Sequence, residues 1–325
     1  MSPEHMTKWR SSGLGLLVAC LSVPLLFSGQ PKHAPSNPRL AAEIDKIFLA
    51  DLNGETPSDA VHARVRQTFA KYGVPSQKMV GEEAAEEYIA LLGGEPLTFV
   101  ESVLPKVERA AAAGDISENS YIYLRTQTHQ KEIREKFNGS AANPALRNKI
   151  ERLFKTDQAV RPVGKPWDLK KLQATDRADG ETAHAIFAKY GLPTFALVGP
   201  EAAQEFDDVV QHQPLAFQKQ VLPQMKADLA AGQVSAQSYA MLLDRVESSS
   251  GQPQTYGENF VCTPDGKMKP SPIADPEQVD RRRADIGLVP LSLYAKLLGE
   301  MYMNGLCEQV AAANRKAGHG PPTPQ

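Results

Sequence analysis

The sequence predicts an all-α fold in which one helical unit is written twice, with a C-terminal extension bearing a small β-hairpin on the second copy. Three observations carry this reading. First, sliding the chain by 118 positions aligns Phe69-Ala70-Lys71-Tyr72-Gly73-Val74-Pro75 with Phe187-Ala188-Lys189-Tyr190-Gly191-Leu192-Pro193. The match continues without a gap through Glu83-Ala84-Ala85 and Glu201-Ala202-Ala203, then Val103-Leu104-Pro105 and Val221-Leu222-Pro223. About 25 of 56 positions are identical, which is a duplicated domain rather than a short solenoid repeat. Second, apolar residues recur at helical spacing, as in Leu97, Val100, Leu104, Val107 and Ala111. Third, helix start and stop signals recur between them.

Taken in order, Thr56-Pro57-Ser58-Asp59 opens a helix with a cap residue and a first-turn proline, and Gly73 closes it in the left-handed conformation. A second helix is expected over 82–92, with acids in its first turn where the helix dipole favours them. The third carries the Leu97 stripe and a bend at Pro105. Ser117 and Ser235 cap a fourth helix in each copy, before a break at Ser248-Ser249-Ser250-Gly251. An upstream alignment shifted by 106 sets Ile44, Ile47, Phe48 and Asp51 against Ile150, Leu153, Phe154 and Asp157. Residues 260–269 surround Pro264-Asp265-Gly266 and predict the hairpin, and 291–313 return to helix. The expected organisation is a signal segment at 1–29, a tether at 30–38, a degenerate first copy at 39–137, a second copy at 144–250, the extension at 251–313 and a disordered tail at 318–325.

Composition narrows the function. The 325 residues are 42% hydrophobic, enough to fill two cores, and the formal charge of −2 leaves no field of one sign to steer a polyanion. Nucleic acid is therefore not an expected partner. The dense basic run Arg281-Arg282-Arg283 is flanked by Asp280 and Asp285 and reads as a solvated helix face. Lys8 and Arg10 precede an apolar run at 14–27, the layout of a secretory signal, so export to the periplasm or beyond is expected. That run is interrupted by Pro24 and is shorter than a membrane span, so membrane attachment is expected only through the signal or a lipid. Leu17-Val18-Ala19-Cys20 resembles a lipobox that would place a lipid on Cys20, and ordinary cleavage of the signal is the other reading. Past the signal, Cys262 and Cys307 remain, and their spacing does not decide between a disulfide and two buried thiols.

Duplication gives a rule for finding a site. Residues present in both copies are explained by the shared fold, whereas polar residues peculiar to one copy are free for chemistry. His212 faces Gly94, Asp244 and Arg245 face Thr126 and Gln127, Gln158 faces Leu52, and Arg161 faces Glu55. His212 suits acid–base work because imidazole titrates near neutrality, with capping of helix carbonyls as the structural alternative. Asp157 lies on an apolar stripe and needs a partner there, but Asp51 shares its register, which favours a paired acid tying helices together. A polar pocket is expected between the second copy and the extension's first segment, which contains Tyr256. In it His212 and Asp244 are the candidate catalytic pair, and Arg161, Arg245, Gln158, Tyr256 and Asp157 bind the ligand. The structural alternative is that Arg245 anchors the extension through backbone carbonyls. No Gly-rich phosphate loop, His-Glu-x-x-His, nucleophile elbow or zinc spacing is present, so no cofactor or metal is expected.

At these residues the chain resembles domain-of-unknown-function family 6624, a family of bacterial proteins, over about 150–294. The matching pieces are Asp157-Gln158 with Arg161, Tyr190-Gly191-Leu192-Pro193-Thr194 leading to Val198-Gly199, Gln211-His212, Asp244-Arg245, the run from Gly251 to Gly257, and Asp280-Arg281-Arg282 before Gly287-Leu288. The chain departs from the family's pattern at Gln213-Pro214, where an acid commonly follows the histidine, and at Glu258-Asn259, where Thr-Gln is usual. The resemblance implies shared fold and no particular reaction. Two functions are carried forward. One is an exported hydrolase or transferase acting on an anionic small molecule or envelope component. The other is a non-enzymatic binding or scaffold module for an unknown ligand or protein, in which the same polar cluster is structural.

Overall fold

Helix boundaries fall where capping chemistry puts them. In the computed structural model, which describes residues 34–52, 54, 58–161, 168–300, 307–308 and 311–312, Ser117 Oγ accepts the N–H of Ser120 and Ser235 Oγ that of Ser238, satisfying orphan donors at two helix starts. Gly73 and Gly191 end their helices at φ of 72° and 71°, a conformation costly for any residue with a Cβ. The signal segment, Cys20, Thr56-Pro57, Glu55 and the tail lie outside the described residues.

The first half is built from α1 (Pro38–Leu52), α2 (Ser58–Tyr72), the single turn α3 (Gln77–Val80), α4 (Glu82–Gly94), α5 (Leu97–Ala112) and α6 (Glu118–Glu135). The second half is α7 (Pro144–Ala159), α8 (Leu169–Tyr190), α9 (Phe195–Val198), α10 (Pro200–Gln211), α11 (Leu215–Ala230) and α12 (Ala236–Ser249). The extension follows with β1 (Phe260–Cys262), β2 (Met268–Pro270), a short 3₁₀ turn at Pro276–Gln278, α13 (Val279–Asp285) and α14 (Leu291–Leu298). Among the described residues the only regular sheet is the antiparallel pair β1–β2, with Val261 opposite Lys269. The fold is all-α.

The two halves run through their elements in the same order. α3 and α5 are matched, 118 residues on, by α9 and α11 of equal length. Local contacts follow the same spacing. Phe69 and Phe99 meet edge to face at 5.9 Å, and Phe187 and Phe217 do so at 5.7 Å. Asn37 donates its N–H to Met79 O and Asn143 donates to Leu197 O, while each side chain caps the helix that follows. The first of these pairings shortens the expected tether: Ser36 and Asn37 are tied to the turn at Lys78–Met79, and α1 already starts at Pro38.

Each half has its own core. Ile44, Val65, Tyr88, Leu92, Val107 and Leu124 fill the first, and Ile150, Ile186, Phe206, Val210, Phe217 and Leu242 fill the second. Each such side chain contributes about 1.5–3 kcal/mol when fully buried. The third-helix stripe is centred on Val100, Val103 and Val107, and α5 runs on through Pro105. The extension does more than the sequence suggested. Ala284 and Leu293 enter the first half's core, Gln130 Nε2 donates to Ile286 O at 2.9 Å, and Lys296 Nζ meets Asp45 at 2.6 Å, Glu83 at 2.8 Å and Glu87. It is thus a clasp on both halves rather than an appendage of the second. Cys262 in β1 and Cys307 are joined in a disulfide, which closes a loop of 45 residues around α13 and α14.

Candidate functional site

The last turn of α7, the start of α8 and the end of α10 bring one polar group of the second half together. Asp157 follows Ile150 and Leu153 on the buried face of α7, so its carboxylate enters a site from which water is excluded and must be met by donors. Three side chains meet it. His212, the C-cap residue of α10, places Nδ1 2.9 Å from Asp157 Oδ1. Arg161 Nη1 donates to the same oxygen and to the Asp157 carbonyl, each at 2.8 Å. Gln158 Nε2 donates to Oδ2 at 2.8 Å. The histidine is held by a carboxylate, not spent on capping carbonyls.

Further acids surround this group. Asp176 on α8 pairs with Arg161 Nη2. One turn on, Asp179 is buried with Oδ2 unpartnered among the described residues, and burial, reinforced by the Asp157 and Asp176 charges against the opposing pull of Arg161, pushes its carboxyl up to about 6. Asp208 on α10 is pushed up to about 8 by burial, with Asp157 and Glu205 adding repulsion. None of the three was singled out from the sequence. The register rule would have found them, because they face Ser58, Val61 and Ala90 in the first half.

Asp244, Arg245 and Tyr256 lie elsewhere, which corrects the expected single pocket. The Asp244 side chain is fully buried on α12. Its Oδ1 accepts the backbone N–H groups of Thr255 at 2.8 Å and Tyr256 at 2.9 Å, and its Oδ2 accepts that of Glu258 at 2.7 Å. A carboxylate filled by three backbone donors is a lock for the extension. Arg282 and Arg283 complete it. Arg282 reaches the carbonyls of Thr255 and Asp275, while Arg283 donates to Val289 O and Tyr256 O, each at 2.6 Å, and to Glu258 Oε1 at 2.9 Å. Tyr256 supplies its backbone here and packs its ring on Tyr239 at 6.3 Å. Among the described residues Arg245 makes no hydrogen bond to a carbonyl of the extension. Its Nε is buried without a hydrogen-bond partner among the described residues, and burial lowers the guanidinium's pKa. No hydrogen bond or ion pair among the described residues joins this lock to the His212 group.

Residues 144–306, half of the chain, match the model of a Family of unknown function (DUF6624). The chain belongs to that family. The match opens at the first residue of α7 and takes in the second half and the extension, so both the His212 group and the Asp244 lock lie inside the DUF6624 segment. No curated protein and no solved structure matches the chain. Among the described residues no group of three or more His, Cys, Asp and Glu side chains is set to hold a metal ion, and no helix is long and apolar enough to cross a membrane.

Proposed function

We propose that the second half carries the proton-transfer site of an exported hydrolase or group-transfer enzyme, with His212 exchanging the proton and Asp157 positioning it. The observation that carries this reading is the 2.9 Å contact between His212 Nδ1 and Asp157 Oδ1. A carboxylate at Nδ1 favours the tautomer with its proton there and leaves the Nε2 lone pair as the base. Arg161 and Gln158 hold both oxygens of Asp157, so the carboxylate is fixed in turn. Asp208, pushed up to about 8, supplies a carboxyl that retains its proton near neutrality, whereas Asp179, pushed up to about 6, gives its proton up just below it. Groups whose environments separate their pKa values divide into acids and bases.

Substrate charge follows from the same pairs. Arg161 is taken up by Asp157 and Asp176, leaving the surroundings of His212 rich in acid. Such a site repels an anion, so a neutral or cationic polar substrate replaces the anionic one expected from the sequence. Export is supported by the signal-like N-terminus and by the Cys262–Cys307 bridge, which persists in an oxidising compartment.

The test is a screen of neutral esters and glycosides against phosphate esters, followed by His212→Gln and Asp157→Asn on whatever is turned over. Each variant should lose about 100-fold or more in kcat, and nitrogen NMR should place the His212 proton on Nδ1. Unaltered turnover in both folded variants rejects the proposal.

A further inference from the structure

We propose that the first half carries a second small-molecule site, formed by His62, Arg66 and Glu95 beside Asp51, that takes an oxyanion. His62 Nδ1 lies 2.9 Å from Glu95 Oε1, and Arg66 Nε donates to Glu95 Oε2 at 2.8 Å. Lys131 Nζ donates to the backbone carbonyl of the same residue. The Glu95 side chain is fully buried, whereas His62 and Arg66 are 22% and 46% exposed. A sequestered carboxylate therefore holds an imidazole and a guanidinium at the surface, the reverse of the enclosed Arg161 and His212.

Sequence register relates the two groups, but the residues are not interchangeable. Glu95 stands 118 residues before Gln213, His62 before Gly180, and Arg66 before His184, while Asp51 shares the register of Asp157. A Cβ on Gly180 would sit 2.4 Å from Gln213 Oε1, so a histidine where the first half has His62 requires the Gln213 side chain to turn aside. A histidine, an arginine and a buried carboxylate are thus assembled in each half from different register positions. Packing alone does not require that, because the second half fills the His62 and Glu95 positions with glycine and glutamine.

Charge distinguishes the ligands. Arg66 and Lys131 offset Glu95 and Asp51, so this cluster lacks the excess of acids that surrounds His212. Arg66 spends its Nε on Glu95. Its terminal nitrogens have no protein partner among the described residues, its guanidinium lies 5.0 Å over the Phe99 ring, and a planar fork of that kind suits a carboxylate or phosphate group. The acid-rich His212 group disfavours the same ligand, so the two sites take different chemistry.

The experiment follows the His62 imidazole by NMR in the folded full chain during titration with inorganic phosphate and, separately, with acetate. Binding of either supports the proposal and identifies the oxyanion, and Arg66→Gln should weaken it by about tenfold or more. His62 signals unmoved by both anions, or moved equally in Arg66→Gln, overturn it. His212→Gln should leave the titration unchanged. A silent His62 with turnover lost in His212→Gln would reject this site and keep the one in the second half, and the opposite pattern would do the reverse.

Discussion

Asp244 Oδ2 and the backbone N–H of Glu258 are joined at 2.7 Å, and the same buried carboxylate takes two further backbone donors from Thr255 and Tyr256. Removing it leaves the Tyr256 and Glu258 N–H groups without their acceptor, whereas the Thr255 N–H keeps Glu247 Oε2 at 2.8 Å. Asp244→Ala should cost about 2 kcal/mol or more, read as a lower urea midpoint. Hydrogen exchange should quicken at Tyr256 and Glu258 and stay slow in the core of α10. Unchanged exchange at those two amides would remove the lock from the account.

Asp157 and Arg161 should show strong coupling. Arg161→Gln leaves two acids without their cation, and breaking a buried pair in this way costs about 3–5 kcal/mol. Asp157→Asn in the same chain should recover part of that loss, since the more deeply buried acid is then neutral. A double-mutant cycle by urea unfolding should give a coupling of about 1–3 kcal/mol. Additive losses would mean that the 2.8 Å contact contributes little.

Helix ends and the hairpin were legible because their causes are local. Ser117, Ser235, Gly73 and Gly191 act on their own helix termini, and Pro264-Asp265-Gly266 turns its own two strands. The His212 group was legible in part, since register against the first half marks Gln158, Arg161 and His212 and would also have marked Asp176, Asp179 and Asp208. Asp244 was marked by the same rule but given the wrong role. Its partners are backbone N–H groups, which every non-proline residue carries, so no side-chain pattern announces them. The clasp of Lys296 on Asp45 spans 251 residues, and no periodicity reaches that far.

Asp179 gives the second half a pH signature. Its pKa is raised from 3.8 to about 6 in the fold, chiefly by burial, so the folded state binds this proton more tightly than the unfolded chain does. Stability from this residue is therefore fully present below about pH 3.8, falls as pH rises, and levels off above about 6. Asp179→Asn removes the dependence. The stability of the variant minus that of the parent should rise by about 1–3 kcal/mol across that window and stay flat above it. A flat difference throughout would show that Asp179 finds a partner when ionised.

The two halves can be tested against each other by grafting. Gly180 occupies the His62 position and Gln213 the Glu95 position, and the packed Gln213 side chain leaves a new Cβ at Gly180 only 2.4 Å of space. Gly180→His alone should therefore be destabilising by about 1 kcal/mol, because Gln213 must turn aside and give up its hydrogen bond to Val209 O. If the halves share one backbone, adding Gln213→Glu rebuilds the first half's pair, in which Nδ1 and Oε1 stand 2.9 Å apart. The double variant should then recover at least half of the loss in urea unfolding. It should also show an imidazole whose titration shifts when the new glutamate is changed back to glutamine. Recovery requires α8 and the residues just past α10 to repeat the spacing of α2 and the residues just past α4. A double variant no more stable than Gly180→His would mean that the repeated sequence spacing does not extend to the side chains around the site.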